Sequence, residues 1–401
     1  MRIHTLVVLL SSCAALALDP SNPDATVATR RLLNLLVEAP DRPTHSLISG
    51  QYVGHGPQVT AGYTTEVVNL HRDTDAWVTL IGADYALGSL DDKWFAEVNA
   101  TAKQHWAAGG LVSLCLCSVN NPATGGDSSD KSVHDLQALV TPGTAANTKW
   151  LAVLDKVAAA LTVLRDAGVV VLWRPLHEMN LPAAFWWADA PPADYVALWR
   201  HMHRYFSVEK KLDNLLWVFA PNGVTFDNGT KPPADYYPGA DVVDVVGLDW
   251  YSDEPAKFAA GGYDALRAMG KPFALTELGP ELGKAPTPHD LATILADVRA
   301  QAPRASYFMT WTNYGGKILS LGTLKNSKAA LADPSVMNCQ DFDYTPTDGG
   351  TNPHCVSLES LKPSAGGCGC DASAAGAVGF GLLVLSTLRA RRAARRPHTL
   401  L

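Results

Sequence analysis

From about residue 24 onward, short apolar runs alternate with longer segments of helical period. Residues 169–176 set the pattern. Val169, Val170, Val171 and Leu172 are uniformly apolar and mostly β-branched, which fits a strand buried on both faces rather than one with a solvated side. Runs of the same kind at 46–52, 76–83, 111–117, 215–220, 242–248, 273–276 and 307–310 bring the expected strands to eight. Helices are expected between them at 94–108, 148–167, 193–206, 263–269 and 288–300, the first stopped by Gly109 and Gly110. Strands and helices alternating in this way predict an α/β fold, a (β/α)8 or TIM barrel forming one domain over 24–332.

Polar residues fall where the strands of such a barrel would end. Arg174, His177, Glu178 and Asn180 follow the fourth run; Asp84 follows the second, Asn120 and Asn121 the third, and Asn222 the fifth. Asp249 and Tyr251 follow the sixth, Glu277 the seventh, and Trp311 and Asn313 the eighth. In a barrel these ends share one mouth, so residues a hundred positions apart can meet on one ligand. Phe185, Trp186 and Trp187 add flat surfaces on which a sugar ring could stack.

Glycosidic cleavage needs an acid for the departing oxygen and, in the retaining mode, a second carboxylate about 5 Å away to attack the anomeric carbon. Glu178 and Glu277 are the expected catalytic pair, because a carboxylate ending an apolar run is unusual unless it is paired or used. The acid must be kept protonated by burial and by its partner's charge, while the nucleophile needs donors around it. Tyr251 is placed to donate to the nucleophile, Arg174 to orient carboxylates, and His177, Asn180 and Asp249 to contact sugar. Among Trp186, Trp187, Trp250 and Trp311, the last is the preferred sugar platform because it ends the final strand. A zinc-protease reading of His177-Glu178 fails, since Leu181 stands where the second His would be. No nucleophile elbow, P-loop or dinucleotide fingerprint is present, and the chemistry calls for no metal or cofactor.

The formal charge of -7 includes five arginines, Arg389, Arg391, Arg392, Arg395 and Arg396, so the body is more acidic than the total implies and nucleic acid is not an expected partner. Residues 1–17 have the layout of a secretory signal peptide, with an alternative lipoprotein-type cut before Cys13. Residues 333–370 read as a tail or linker, with Cys339 and Cys355 able to form a disulfide in an oxidising compartment. Cys115 and Cys117 are read instead as small apolar strand residues that do not bridge. Residues 371–401 combine an apolar stretch at 372–388 with an arginine-rich end, the pattern of a membrane segment with a cytoplasmic basic flank. Together with Cys368 and Cys370 this segment also resembles the C-terminal sorting tags of myxobacterial surface proteins, which would leave the protein at the cell surface.

RPLHEMN followed by FWW, with GGLVSLCLCSVNNPATGG, GLDWY, ALTELG and FMTWTN, resembles glycoside hydrolase family 26, whose best-known members are endo-β-1,4-mannanases. The resemblance runs from about residue 47 to residue 313. It implies a retaining (β/α)8 enzyme with Glu178 as acid/base, Glu277 as nucleophile, Tyr251 beside the nucleophile and Trp311 as the strand-eight tryptophan. The chain departs from the family at Leu116 and Cys117, where members usually carry Trp-His, at Leu181, Pro182 and Ala184, and at Thr312, where an Arg often stands. The expectation is therefore a secreted retaining β-glycanase, taken first as acting on β-1,4-mannan, with xylan and mixed-linkage glucan as alternatives. The rival of another class is a non-catalytic glycan-binding protein on the same barrel. A monomer is the default.

Overall fold

The computed structural model describes residues 18–361 apart from 183, 224–228, 255–256 and 258. Ten parallel strands form one sheet: β1 Leu47–Ile48, β2 Gly50–His55, β3 Leu80–Asp84, β4 Leu111–Leu116, β5 Val171–Pro175, β6 Leu215–Phe219, β7 Val245–Tyr251, β8 Phe273–Gly279, β9 Ala305–Phe308 and β10 Val336–Met337. The first expected strand is split in two. β1 pairs with β9 and β2 with β3, so the break at Ser49 lets one stretch of chain join both edges. A bridge between Gln51 and Thr310 completes the closure. Gly50 permits it, because a Cβ there would lie 2.6 Å from the Phe308 carbonyl oxygen.

β4 to β8 are buried along their whole length, as their apolar runs require. One end of the barrel is plugged by the helix Val27–Glu38, whose Leu32, Leu33, Leu35 and Leu36 pack with Ile48, Leu80, Leu111, Val170, Leu216 and Tyr307. These partners sit at or near the starts of their strands. The opposite, C-terminal mouth is left for chemistry.

Two expectations need correction. The domain does not stop at 332: β10 extends the sheet beside β1, and Met337, Phe342, Tyr344 and Leu358 are buried in the core. Cys339 and Cys355 are disulfide-bonded and pin this segment, with Cα atoms 5.8 Å apart. Cys115 and Cys117 are also bonded to one another. Residues two apart on a strand share a face, which is why they meet. Among the described residues no helix is long and apolar enough to cross a membrane; residues 1–17, Cys13 with them, and 371–401 lie outside that set, as do Cys368 and Cys370.

Candidate active site

Strand register assembles the mouth. Asp84 pairs with Cys115, Cys115 with Arg174, and Asp249 with Glu277, so these side chains share one level near the C-terminal ends of the strands. β7 and β8 run further than their sequence patterns indicate, which puts Asp249, Tyr251 and Glu277 on rigid strand rather than in loops.

Arg174 is the electrostatic centre. Its Nη1 donates to Asp249 at 3.0 and 3.3 Å, and its Nη2 to Glu277 Oε1 at 2.8 Å. Burial works against the guanidinium charge, but the two carboxylates outweigh it and hold Arg174 charged. The other Glu277 oxygen accepts from the Tyr251 hydroxyl at 2.7 Å. Gly279 makes room for that tyrosine, since a Cβ would come within 2.8 Å of its ring. Glu277 is thus held by a cation and a phenol, the donors an ionised carboxylate wants.

Glu178 has a different environment. Among the described residues its one side-chain hydrogen-bond partner is Asn222, whose amide donates to Oε1 at 2.6 Å. Burial first, and then the charge of Glu277, push its carboxyl up to about 8. Getting it there costs backbone strain: Leu176 and Glu178 have φ of 50° and 51°, in the left-handed region. Three bonds hold the kink, from Tyr195 to the Leu176 carbonyl, from Trp187 Nε1 to the His177 carbonyl, and from the Glu178 N–H to the Ala220 carbonyl. His177 Nε2 lies 3.8 Å from Glu277, and burial, then Arg174 and His55, push this imidazole well down, so it is neutral.

Several residues expected to contact sugar belong to the framework instead. Trp186 and Trp187 are buried, with indole N–H groups spent on Val119 and His177 carbonyls, because the turn after β5 needs donors there. Asn180 is fully buried and bonds Asn222 and the Lys231 carbonyl, fixing the residue that holds Glu178. Asp249 is occupied by Arg174 and by Thr276 at 2.6 Å. Asn313 caps its own loop through the N–H groups of Leu319 and Ser320. Trp311 remains half-buried at the mouth, stacked on Tyr52 with ring centres 3.6 Å apart. Sequence reasoning missed His55, Tyr52 and Ser118. The one signal available was positional: Tyr52 ends the expected run at 46–52, and His55 follows three residues later.

One consequence is measurable. With Glu178 raised to about 8, an activity that needs its proton is expected to fall as pH rises through about 8, seen as the alkaline limb of kcat/KM in the free protein. The same shift predicts that wild-type stability declines from the ordinary carboxylate range up to about 8, because the folded state resists ionisation there. Glu178→Gln should lack that decline in thermal melts; parallel curves for both proteins would contradict the assignment.

Residues 21–341 match the family described as Glycosyl hydrolase family 26. A mannan endo-1,4-beta-mannosidase of Bacillus subtilis is 32% identical over 328 residues, covering 77% of this chain and 87% of that protein. Another from Caldalkalibacillus mannanilyticus is 30% identical over 369 residues, covering 88% of this chain and 67% of its own length. Among solved structures, a Bacillus subtilis mannanase superposes with a TM-score of 0.71 at 28% identity, covering 80% of this chain and 95% of that one.

Proposed function

The chain belongs to glycosyl hydrolase family 26, and on that premise we propose that it cleaves β-1,4-mannan by double displacement, with Glu277 as nucleophile and Glu178 as acid/base. The observation that carries this reading is the contrast between the two carboxyls. One is clamped by Arg174 and Tyr251; the other is buried and raised to about 8.

In the first step Glu178 gives its proton to the departing glycosidic oxygen while Glu277 attacks the anomeric carbon. The resulting ester carries no negative charge. The charge of Glu277 is the second cause lifting Glu178, so its loss lowers the acid's affinity for a proton. Glu178 then takes a proton from water, which attacks the ester and returns Glu277 to its ionised state. Trp311 offers a ring face, and Arg174 and Tyr251 hold the Glu277 oxygens in place for the attack.

The test is reducing-sugar release by the purified protein on mannan, glucomannan, xylan and mixed-linkage glucan, with Glu178→Gln and Glu277→Gln as controls. Release from mannan that is lost in both controls is expected. Binding to mannan without release would favour a glycan-binding protein, and release from xylan alone would overturn the substrate.

We also propose export to the cell surface. The leader-like residues 1–17 and the apolar stretch with its arginine end motivate this reading, and the Cys339–Cys355 disulfide supports an oxidising compartment. Fractionation of producing cells tests it, and activity confined to the cytoplasm would refute it.

A further inference from the structure

A histidine that serves the framework can spend both ring nitrogens on it. His105 is the pattern: it is fully buried, with Nδ1 at 3.1 Å from the Tyr63 hydroxyl and Nε2 at 3.0 Å from the Thr79 carbonyl. His55 is arranged otherwise. It ends β2 at the C-terminal mouth, its side chain is 23% exposed, and all of its polar contacts engage Nδ1. These are Asp84 Oδ2 at 3.3 Å, the Tyr52 hydroxyl at 3.1 Å and Ser118 Oγ at 3.3 Å. Among the described residues Nε2 has no protein partner.

The anchor also fixes the tautomer. Asp84 is fully buried, and its carboxylate is further tied to Ser118 Oγ at 2.6 Å and the Ala86 N–H at 2.9 Å. A carboxylate only accepts, so the hydrogen of a neutral His55 belongs on Nδ1, leaving the lone pair on Nε2. The ring stands edge-on to Trp311, 5.9 Å between centres. Trp311 in turn lies 6.0 Å from the Arg174 guanidinium that holds Glu277. A preoriented acceptor therefore faces the same cleft as the nucleophile and the stacking surface.

We propose that His55 is a substrate-contacting residue, whose Nε2 accepts a hydrogen bond from a hydroxyl of the sugar unit at the cleaved bond. Asp84, Tyr52 and Ser118 are its positioning residues. This rests on the mannan-cleaving reading and deepens it: the enzyme selects its sugar through an imidazole on β2 as well as through the tryptophan platform.

The experiment compares wild type, His55→Leu and His55→Gln on an aryl β-mannobioside and on mannan. It is accompanied by thermal melts and by calorimetric titration of manno-oligosaccharide into each variant in the Glu178→Gln background. Leucine fills the space without an acceptor and should lower kcat/KM about tenfold or more, the scale of a donor left unpaired on a buried sugar. Glutamine can place an oxygen near the Nε2 position and should restore most of that loss, with melting temperatures unchanged. Equal activity of His55→Leu and an active wild type would sink the histidine and leave the function standing. Equal impairment of both variants with lowered melting temperatures would make His55 structural and overturn the proposal. A wild type silent on mannan would instead sink the substrate reading, and the sugar contact with it.

Discussion

Glu277→Ala is expected to lose activity by a factor on the order of 10⁴ to 10⁶ while remaining folded, the scale seen when a nucleophile that works as part of a unit is removed. The reason is local. Among the described residues Glu277 is the one carboxylate that both Arg174 and Tyr251 grip, at 2.8 and 2.7 Å. Asp249 is nearest in kind, but its oxygens are committed to Arg174 and Thr276. The space left by the side chain admits a small anion. With an aryl β-mannobioside and azide, attack from the vacated side should yield the α-glycosyl azide. Glu178→Ala should behave as its complement. A good leaving group needs no proton, so the ester still forms, and azide then displaces it to give the β-azide. A β-azide from the Glu178 variant is the mark of a covalent intermediate; its absence alongside an α product from wild type would show inversion instead.

Arg174→Met should be the most damaging single change to stability. It removes the cation between two buried carboxylates, Asp249 with no exposed surface and Glu277 with almost none. Breaking a buried pair by deleting one partner typically costs about 3–5 kcal/mol, because the other charge is left without compensation. Buried carboxyls can escape that cost by taking up protons. The deficit in urea or thermal unfolding should therefore be largest near neutral pH and shrink toward pH 5. Adding Asp249→Asn and Glu277→Gln to the methionine variant should recover much of the stability and none of the activity. An equal deficit at both pH values would mean that lost packing, rather than charge, dominates.

Much of this was legible in the chain because burial on both faces leaves a strong signal. The β-branched run ending in Arg174 and the run ending in Glu277 both announced strands whose polar ends had to be explained. The split of the first strand was not legible, since the reason for it is the approach of β9 to Gly50, a contact between residues far apart in sequence. The tryptophans after β5 misled for a similar reason. An aromatic near a site looks alike in sequence whether it faces sugar or, like Trp187, ties down the carbonyl that sets the backbone of Glu178. β10 is two residues long and carries no periodicity, so only its place beside β1 reveals it.

The pinned C-terminal segment has a consequence for how the cleft meets a polymer. Cys355 bonds the Ala108 carbonyl, Asn352 the Gly109 carbonyl, and Glu359 accepts from Trp77, all just ahead of the starts of β3 and β4. The last described residues therefore leave the barrel from the pole opposite the catalytic mouth. A tether attached beyond them would act as a stalk on the blind side. The strand ends that carry Glu178 and Glu277 would then face away from the point of attachment.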